Sequence, residues 1–235
     1  MTAVGDAPLR LAVGADHPVA DVRALLTRPE RPRAPAVALT HGAGGDLTSS
    51  GLEALAHGLA EHGHVTVRFD LPFREAGHKA PPAAEKSVAG YAAAAGSARA
   101  VTGADRWAVG GKSYGGRVAS MAVAAGLDAV GLIFYGYPLH APGKRDQPRV
   151  DHWPAIRVPT LFLQGTHDAL CDLEVLEANL ELLGAPATVH VVDGGDHSLA
   201  VPGARAPDGR RASQAATLAR LGPVVAAWLT SVVAR

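Results

Sequence analysis

The stretch Trp107-Ala108-Val109-Gly110-Gly111-Lys112-Ser113-Tyr114-Gly115-Gly116 decides how this chain reads. An apolar run leads into it, and a run that reads as a buried helix, Val118 to Ala125, leads out. A serine with glycines two residues to either side, between a strand and a helix, is the nucleophile-elbow pattern G-x-S-x-G. The reason is steric. The serine sits in a strained turn so that its hydroxyl stands clear of the backbone, and only small residues at Gly111 and Gly115 let strand and helix approach closely. The helix N-terminus adds partial positive charge, and the Tyr114 N–H points to where an oxyanion would form. Gly111-Lys112-Ser113 is also the tail of a phosphate-binding G-x-x-x-x-G-K-[ST] loop, but that motif needs glycine where this chain has Arg106. An inert serine in a tight turn fits the elbow alone, so the rest of the chain must supply its partners.

Working outward, residues 8–29 hold two short apolar runs, Leu9 to Val13 and Val22 to Leu26, which read as an opening hairpin. Arg31 to Pro35 is a linker or edge turn. Ala36 to Thr40 is a buried strand that runs into His41-Gly42-Ala43-Gly44-Gly45. Ser50-Gly51-Leu52-Glu53 has capping-box spacing, and Leu52, Leu55, Ala56 and Leu59 follow at helical intervals to Gly63. His64 to Phe69 is the next strand, Asp70 to Pro82 a loop, and Ala83 to about Thr102 a helix. Beyond the elbow helix, which Gly126 closes, Ala129 to Tyr135 and Pro159 to Gln164 are strands, separated by the long polar loop Gly136 to Arg157. Leu173 to Leu183 is a helix ended by Gly184, and Thr188 to Val192 the last strand. Asp193 to Arg210 reads as loop. Leu218, Leu221, Val225, Trp228 and Val232 share one face of a terminal helix that Pro223 breaks or kinks. Strands alternating with helices predict a mostly parallel sheet with helices on both faces.

Composition sets the class. At 235 residues with 48% hydrophobic content, the chain suits one α/β domain spanning residues 1–235. The formal net charge of zero favours neither nucleic acid nor a charged membrane as partner. The only cysteine is Cys171, so no internal disulfide forms. With no basic and apolar leader at Met1 to Asp6, a cytoplasmic protein is expected. No apolar stretch reads as long enough to cross a bilayer. A monomer or homodimer without cofactor is expected. No H-E-x-x-H is present, and His57, His62 and His64 share no face, so no metal is expected.

An elbow serine needs a general base, and the base an orienting carboxylate, in the chain order Ser, Asp or Glu, His. Both partners should sit past the carboxyl ends of later strands. The strand ending at Gln164 exits into Gly165-Thr166-His167-Asp168, and the last strand exits into Asp193-Gly194-Gly195-Asp196-His197. Ser113, Asp168 and His197 are therefore the candidate triad. Asp172 reads better as a helix N-cap, and Asp193 and Asp196 as turn residues. The His41 to Gly45 loop follows an early strand, where the second oxyanion donor belongs; Ala43 N–H is assigned beside Tyr114 N–H.

With these parts in place, the chain resembles the α/β-hydrolase superfamily. More narrowly, it is similar to a small family of α/β-hydrolase-like domains related to dienelactone hydrolases. That family includes stand-alone bacterial proteins and a domain in a regulatory subunit of an animal histone acetyltransferase complex. The stretches that carry the resemblance are His41 to Asp46, Val67 to Phe73, Gly110 to Arg117, Gly136 to His140, Leu163 to Leu170 and Asp196-His197-Ser198. It implies an α/β-hydrolase fold and carries the triad onto Ser113, Asp168 and His197. Dienelactone hydrolases proper use cysteine where this chain has Ser113.

The expected chemistry is hydrolysis of a small ester-like substrate, carboxylic ester or thioester, through an acyl-enzyme. The alternative is a hydrolase-fold interaction module with little turnover. The Gly136 to Arg157 segment is too short for a cap domain, so an open, shallow site is expected, with Phe73, Tyr114, Tyr137, His140 and Leu170 as walls. Lys112 should pack its stem and reach solvent, and Lys144 and Arg145 read as a solvated loop face.

Overall fold

The computed structural model describes residues 5–203 and 214–234. An opening hairpin, β1 (Asp6–Ala12) and β2 (Asp21–Thr27), leads into β3 (Arg33–Thr40). Then come α1 (Ser50–Glu61), β4 (His64–Phe69), the short α2 (Pro72–Glu75), α3 (Val88–Thr102), β5 (Trp107–Lys112) and α4 (Tyr114–Ala124). They are followed by β6 (Gly131–Tyr135), β7 (Thr160–Gly165), α5 (Leu173–Asn179) and β8 (Ala187–Val192). Two helices, α6 (Gln214–Ala219) and α7 (Gly222–Val233), close the described chain. The loop expected over Asp193 to Arg210 is described only to residue 203; the rest of it lies outside the described residues.

The strands form one eight-stranded sheet in the order β1-β2-β4-β3-β5-β6-β7-β8. The β1–β2 and β2–β4 pairs are antiparallel and the others parallel. Alternation along the strands divides the core. Ala38, Val109, Leu132, Phe134 and Phe162 face one layer, filled by α3 and α4 through Ala94, Ala95, Val118 and Ala119. Val37, Leu39, Ala108, Ile133, Leu161 and Leu163 face the other, filled by Leu52, Leu55, Leu59, Val225, Trp228 and Leu229. Covered on both faces, these strands must read as near-continuous apolar runs, as they do. The chain order reverses direction between β3 and β5, and at such a switch point the strand ends open a crevice. The loops after β3 and β5 face each other there.

Several local expectations change. Ser50 does not cap α1: the N-cap is Ser49, which makes no side-chain cap bond, because the first turn starts one residue earlier. Pro35 belongs to β3 itself, and the loop after β4 contains α2, which Pro72 opens at its first turn. The terminal helix is two helices, with Pro223 in the first turn of the second, where its missing N–H costs nothing. Ala215 to Val233 is long and apolar enough, by length and composition alone, to cross a membrane, against the sequence reading. In the fold Leu218, Leu221, Val225 and Leu229 are instead buried against the sheet. Between β6 and β7 the chain forms only the short helical turn Trp153–Ala155, so no cap domain is inserted there.

Burial holds three histidines below their usual pKa: His41, His64 and His152, the last pushed to about 4 by desolvation and by the Arg117 charge. An unfolded chain takes up their protons near pH 6.5, whereas the fold resists, so stability from these groups is complete above that pH and is lost as pH falls toward about 4. The urea unfolding midpoint should therefore be lower at about pH 5 than at about pH 7.5, and His152→Gln should flatten the difference.

Candidate active site

Ser113 stands between β5 and α4 with φ 49° and ψ −118°, a left-handed backbone that a non-glycine residue adopts only under constraint. Two backbone bonds impose it. The Ser113 N–H donates to Tyr135 O on β6 at 3.0 Å, and the Arg117 N–H donates to Ser113 O at 3.0 Å. The surrounding glycines are there for closeness. A Cβ on Gly115 would lie 2.4 Å from His41 O, and one on Gly111 would lie 2.7 Å from Thr40 O.

Asp168 and His197 come to this serine from the turns after β7 and β8. His197 Nε2 lies 2.7 Å from Ser113 Oγ. Its Nδ1 lies 2.9 and 2.8 Å from the two Asp168 oxygens. A carboxylate only accepts, so Nδ1 carries the proton and Nε2 is free to accept from the serine hydroxyl. The Asp168 side chain is fully buried, and its remaining lone pairs are used: Gln164 Nε2 donates at 2.5 Å and Leu170 N–H at 2.8 Å. Gln164 in turn accepts the Tyr137 N–H at 3.0 Å. Gln164 was not singled out in the sequence, although an amide at the buried end of an apolar strand is a signal for such a partner. Asp172 caps α5 by accepting the Val175 N–H, and Asp196 accepts the N–H groups of Ser198 and Ala200, as turn residues do.

The His41–Gly45 loop lies against the elbow: a Cβ on Gly42 would lie 3.4 Å from Ser113 Cβ. Ala43 follows directly, and Tyr114, the first residue of α4, has no acceptor for its N–H within the helix. His41 holds this loop. It is fully buried; its Nδ1 donates to Gly42 O at 2.7 Å and its Nε2 accepts from Leu71 N–H at 3.1 Å. Burial keeps it neutral and depresses its pKa. Asp70 fixes the far end of the loop, accepting Leu47 N–H at 2.7 Å and Arg23 Nη2 at 2.6 Å. Its own burial raises its pKa against these bonds. Beneath, the buried Arg68 pairs with Asp6 and donates to Leu47 O at 3.3 Å.

The expected walls divide. Phe73 packs edge-on against His41 and Tyr114, with ring centroids 5.8 and 6.0 Å away. The Tyr114 hydroxyl is tied to Ser87 and Pro82. Leu170 is half-buried. Tyr137 is no wall: it is fully buried among Phe134, Trp153 and Phe162, because its hydroxyl finds its donor, Trp153 Nε1, inside the core. His140 is also nearly buried, its Nδ1 bonded to Ala141 O and its Nε2 accepting Asp172 N–H. A cavity of about 520 Å³ opens beside Asp168, lined by His140, Arg145, Ala169, Cys171 and Asp172. His57, His62 and His64 bond to Asp6, Gly58 O and Pro35 O respectively and form no common site.

Lys112 has a partner that its neighbours in sequence do not show. It is half-buried, which lowers its pKa, and its Nζ donates to Ser198 Oγ at 2.8 Å. The ammonium lies 5.3 Å from the centre of the Tyr135 ring, whose hydroxyl donates to Ser198 O at 2.9 Å. The residue after His197 is thus gripped from two sides.

Fold and site together define a class. Residues 33–221 match the family described as alpha/beta hydrolase domain, and the chain belongs to that family. Among solved structures it is similar to a dienelactone hydrolase from Anabaena variabilis, with TM-score 0.72 and 18% identity over 97% of this chain and 98% of that one. Est1E from Butyrivibrio proteoclasticus gives TM-score 0.72 and 15% identity over 97% and 99%. XC6422 from Xanthomonas campestris, described as an a/b serine hydrolase without lid, gives TM-score 0.61 and 23% identity over 98% and 94%.

Two substitutions test the geometry. Gly115→Ala should lower the unfolding free energy by about 1–3 kcal/mol, since the clash is with a backbone carbonyl and outweighs the roughly 1 kcal/mol that alanine gains in a helix; urea denaturation measures it. Lys112→Met should leave the fold intact and, with His197 as the proposed base, lower kcat by about 10- to 100-fold at nearly constant KM, because it loosens the turn that carries the histidine.

Proposed function

We propose that the chain is a serine hydrolase that cleaves a small ester-like substrate, a carboxylic ester or thioester, through an acyl-enzyme. The observation that carries this reading is the continuous hydrogen-bonded line from Ser113 Oγ through His197 to the buried Asp168. Membership of the alpha/beta hydrolase domain family supports it.

In this mechanism Ser113 Oγ attacks the carbonyl carbon while its proton passes to His197 Nε2. Asp168 holds the tautomer and stabilises the imidazolium. The Ala43 and Tyr114 N–H groups receive the developing oxyanion; loss of one such donor typically costs roughly 10²–10³ in rate. The tetrahedral intermediate collapses, and His197 returns the proton to the departing alcohol or thiol. Water then attacks the acyl-enzyme, giving its proton to His197, and the carboxylic acid leaves as Ser113 regains its hydrogen. Of the expected walls Tyr114 and Leu170 stay partly exposed while Phe73 is buried behind Tyr114, and the short β6–β7 connection leaves the site open, which suits a small acyl or alcohol group.

The test is labelling with a fluorophosphonate, wild type beside Ser113→Ala, with mass spectrometry of the modified peptide. Stoichiometric labelling at Ser113 is expected, with none in the variant and a fall in p-nitrophenyl ester turnover of at least about 10³-fold. A folded wild type that does not label would sink the hydrolase reading and leave the interaction module.

A further inference from the structure

A second cavity, of about 380 Å³, lies between the first turns of α4 and the segment 141–152. No triad residue lines it. Its walls are mainly polar, with three cations, Arg117, Lys144 and Arg149, beside Gln147, Asp151 and His152, and with Ala141 and Pro148 completing them. That volume is in the range of small-molecule sites.

The charges are poorly compensated. Among the described residues, Lys144 and Arg149 make no ion pair, whereas their neighbour Arg145 is taken up by Asp172 and Glu174 at 3.2 and 3.4 Å. Arg117 is half satisfied: its Nη2 reaches Glu85 at 3.2 Å, while its Nε is buried without an acceptor. Partial burial and the facing Arg117 charge push the Arg149 pKa down, as expected where like charges stand close together. His152 is held neutral, its Nε2 2.7 Å from Ser120 Oγ, so it adds shape and no charge. Three permanent cations thus face two carboxylates, those of Glu85 and Asp151, and one positive charge is left over.

Two guanidinium forks and a flexible ammonium around one concavity form a donor set matched to an oxyanion. Planar forks bind carboxylate or phosphoryl oxygens in pairs, and an ammonium adapts to the remaining one. We propose that this cavity binds a small organic anion through its oxyanion group, phosphoryl or carboxylate. The site stands apart from the triad and does not rest on the hydrolase reading.

The experiment titrates the full chain with inorganic phosphate and, separately, with succinate at constant ionic strength, following the arginine Nε–H resonances by NMR. Saturable shifts of Arg117 and Arg149 are expected. Arg149→Met should weaken binding about tenfold and Lys144→Met by less, while Arg31→Met, at an exposed arginine outside the cavity, should change nothing. Binding of phosphate alone assigns a phosphoryl ligand, and of succinate alone a carboxylate. Ser113→Ala should bind as wild type does, which separates this result from that of the labelling experiment. Linear, non-saturating shifts with both anions, or equal affinity in Arg149→Met, overturn the proposal.

Discussion

Everything at the crevice depends on backbone touching backbone where β5 meets α4. The turn at Ser113 must pass so close to the end of β3 that no side chain fits at Gly111 or Gly115, whose added Cβ atoms would fall 2.7 Å from Thr40 O and 2.4 Å from His41 O. Holding Ser113 at φ 49° costs of order 1–3 kcal/mol. That cost is offset because β5 is pinned on both sides, by β3 and by β6. The same closeness sets the loop after β3 against Ser113. A hydroxyl clear of its backbone and a neighbouring loop able to turn N–H groups toward it are consequences of one packing constraint.

The loop after β3 has little apolar packing of its own, and a layer of buried polar groups holds it. His41, Asp70 and Arg68 form successive supports, from the Gly42 carbonyl to Leu47 and down to Asp6 on the opening hairpin. The Arg68–Asp6 pair has one buried and one partly exposed partner, so the loss that matters is that of Asp6, which would leave the buried Arg68 charge stranded. Such groups fix geometry more than they add stability. The N-terminal hairpin, which contributes nothing to the triad, reaches the site through Asp6.

The sheet, the order of its elements and the three residues of the proposed triad were legible because each leaves a strong local trace. Buried parallel strands read as apolar runs, the elbow needs glycines at fixed offsets, and Asp168 and His197 stand just past strand ends. What was not legible depends on contacts between distant segments. Nothing in the neighbourhood of Tyr137 distinguishes a cleft wall from a core residue; the partner that draws it inward, Trp153, lies on a different turn. The bond from Lys112 to Ser198 was not legible because the two residues are far apart along the chain. Arg68 carried a usable signal. An arginine in a strand whose neighbours Val67 and Phe69 are both apolar requires an acidic partner, although the sequence does not say that it is Asp6.

The three proposed catalytic residues are not held alike. Ser113 ends a central strand, and Asp168 follows β7, which has neighbours on both sides. His197 follows β8, which among the described residues pairs only with β7 and leaves Val191 exposed. A turn hung from an edge strand has no second strand beside it, and this one is held first by backbone bonds: His167 N–H donates to Gly195 O at 2.8 Å, Asp196 N–H to Ala200 O at 3.0 Å and Leu199 N–H to Asp196 O at 2.8 Å. Side chains add to these: Asp196 closes the turn on itself, and Lys112 and Tyr135 grip Ser198 from the strands beneath. Leu199, buried at φ 54°, shows that this turn too is held in a sparsely populated conformation. A nitrogen 2.7 Å from the Ser113 oxygen is useful only if it stays there. On this side of the site, that precision comes from the backbone bonds of the turn together with the side chains of β5 and β6.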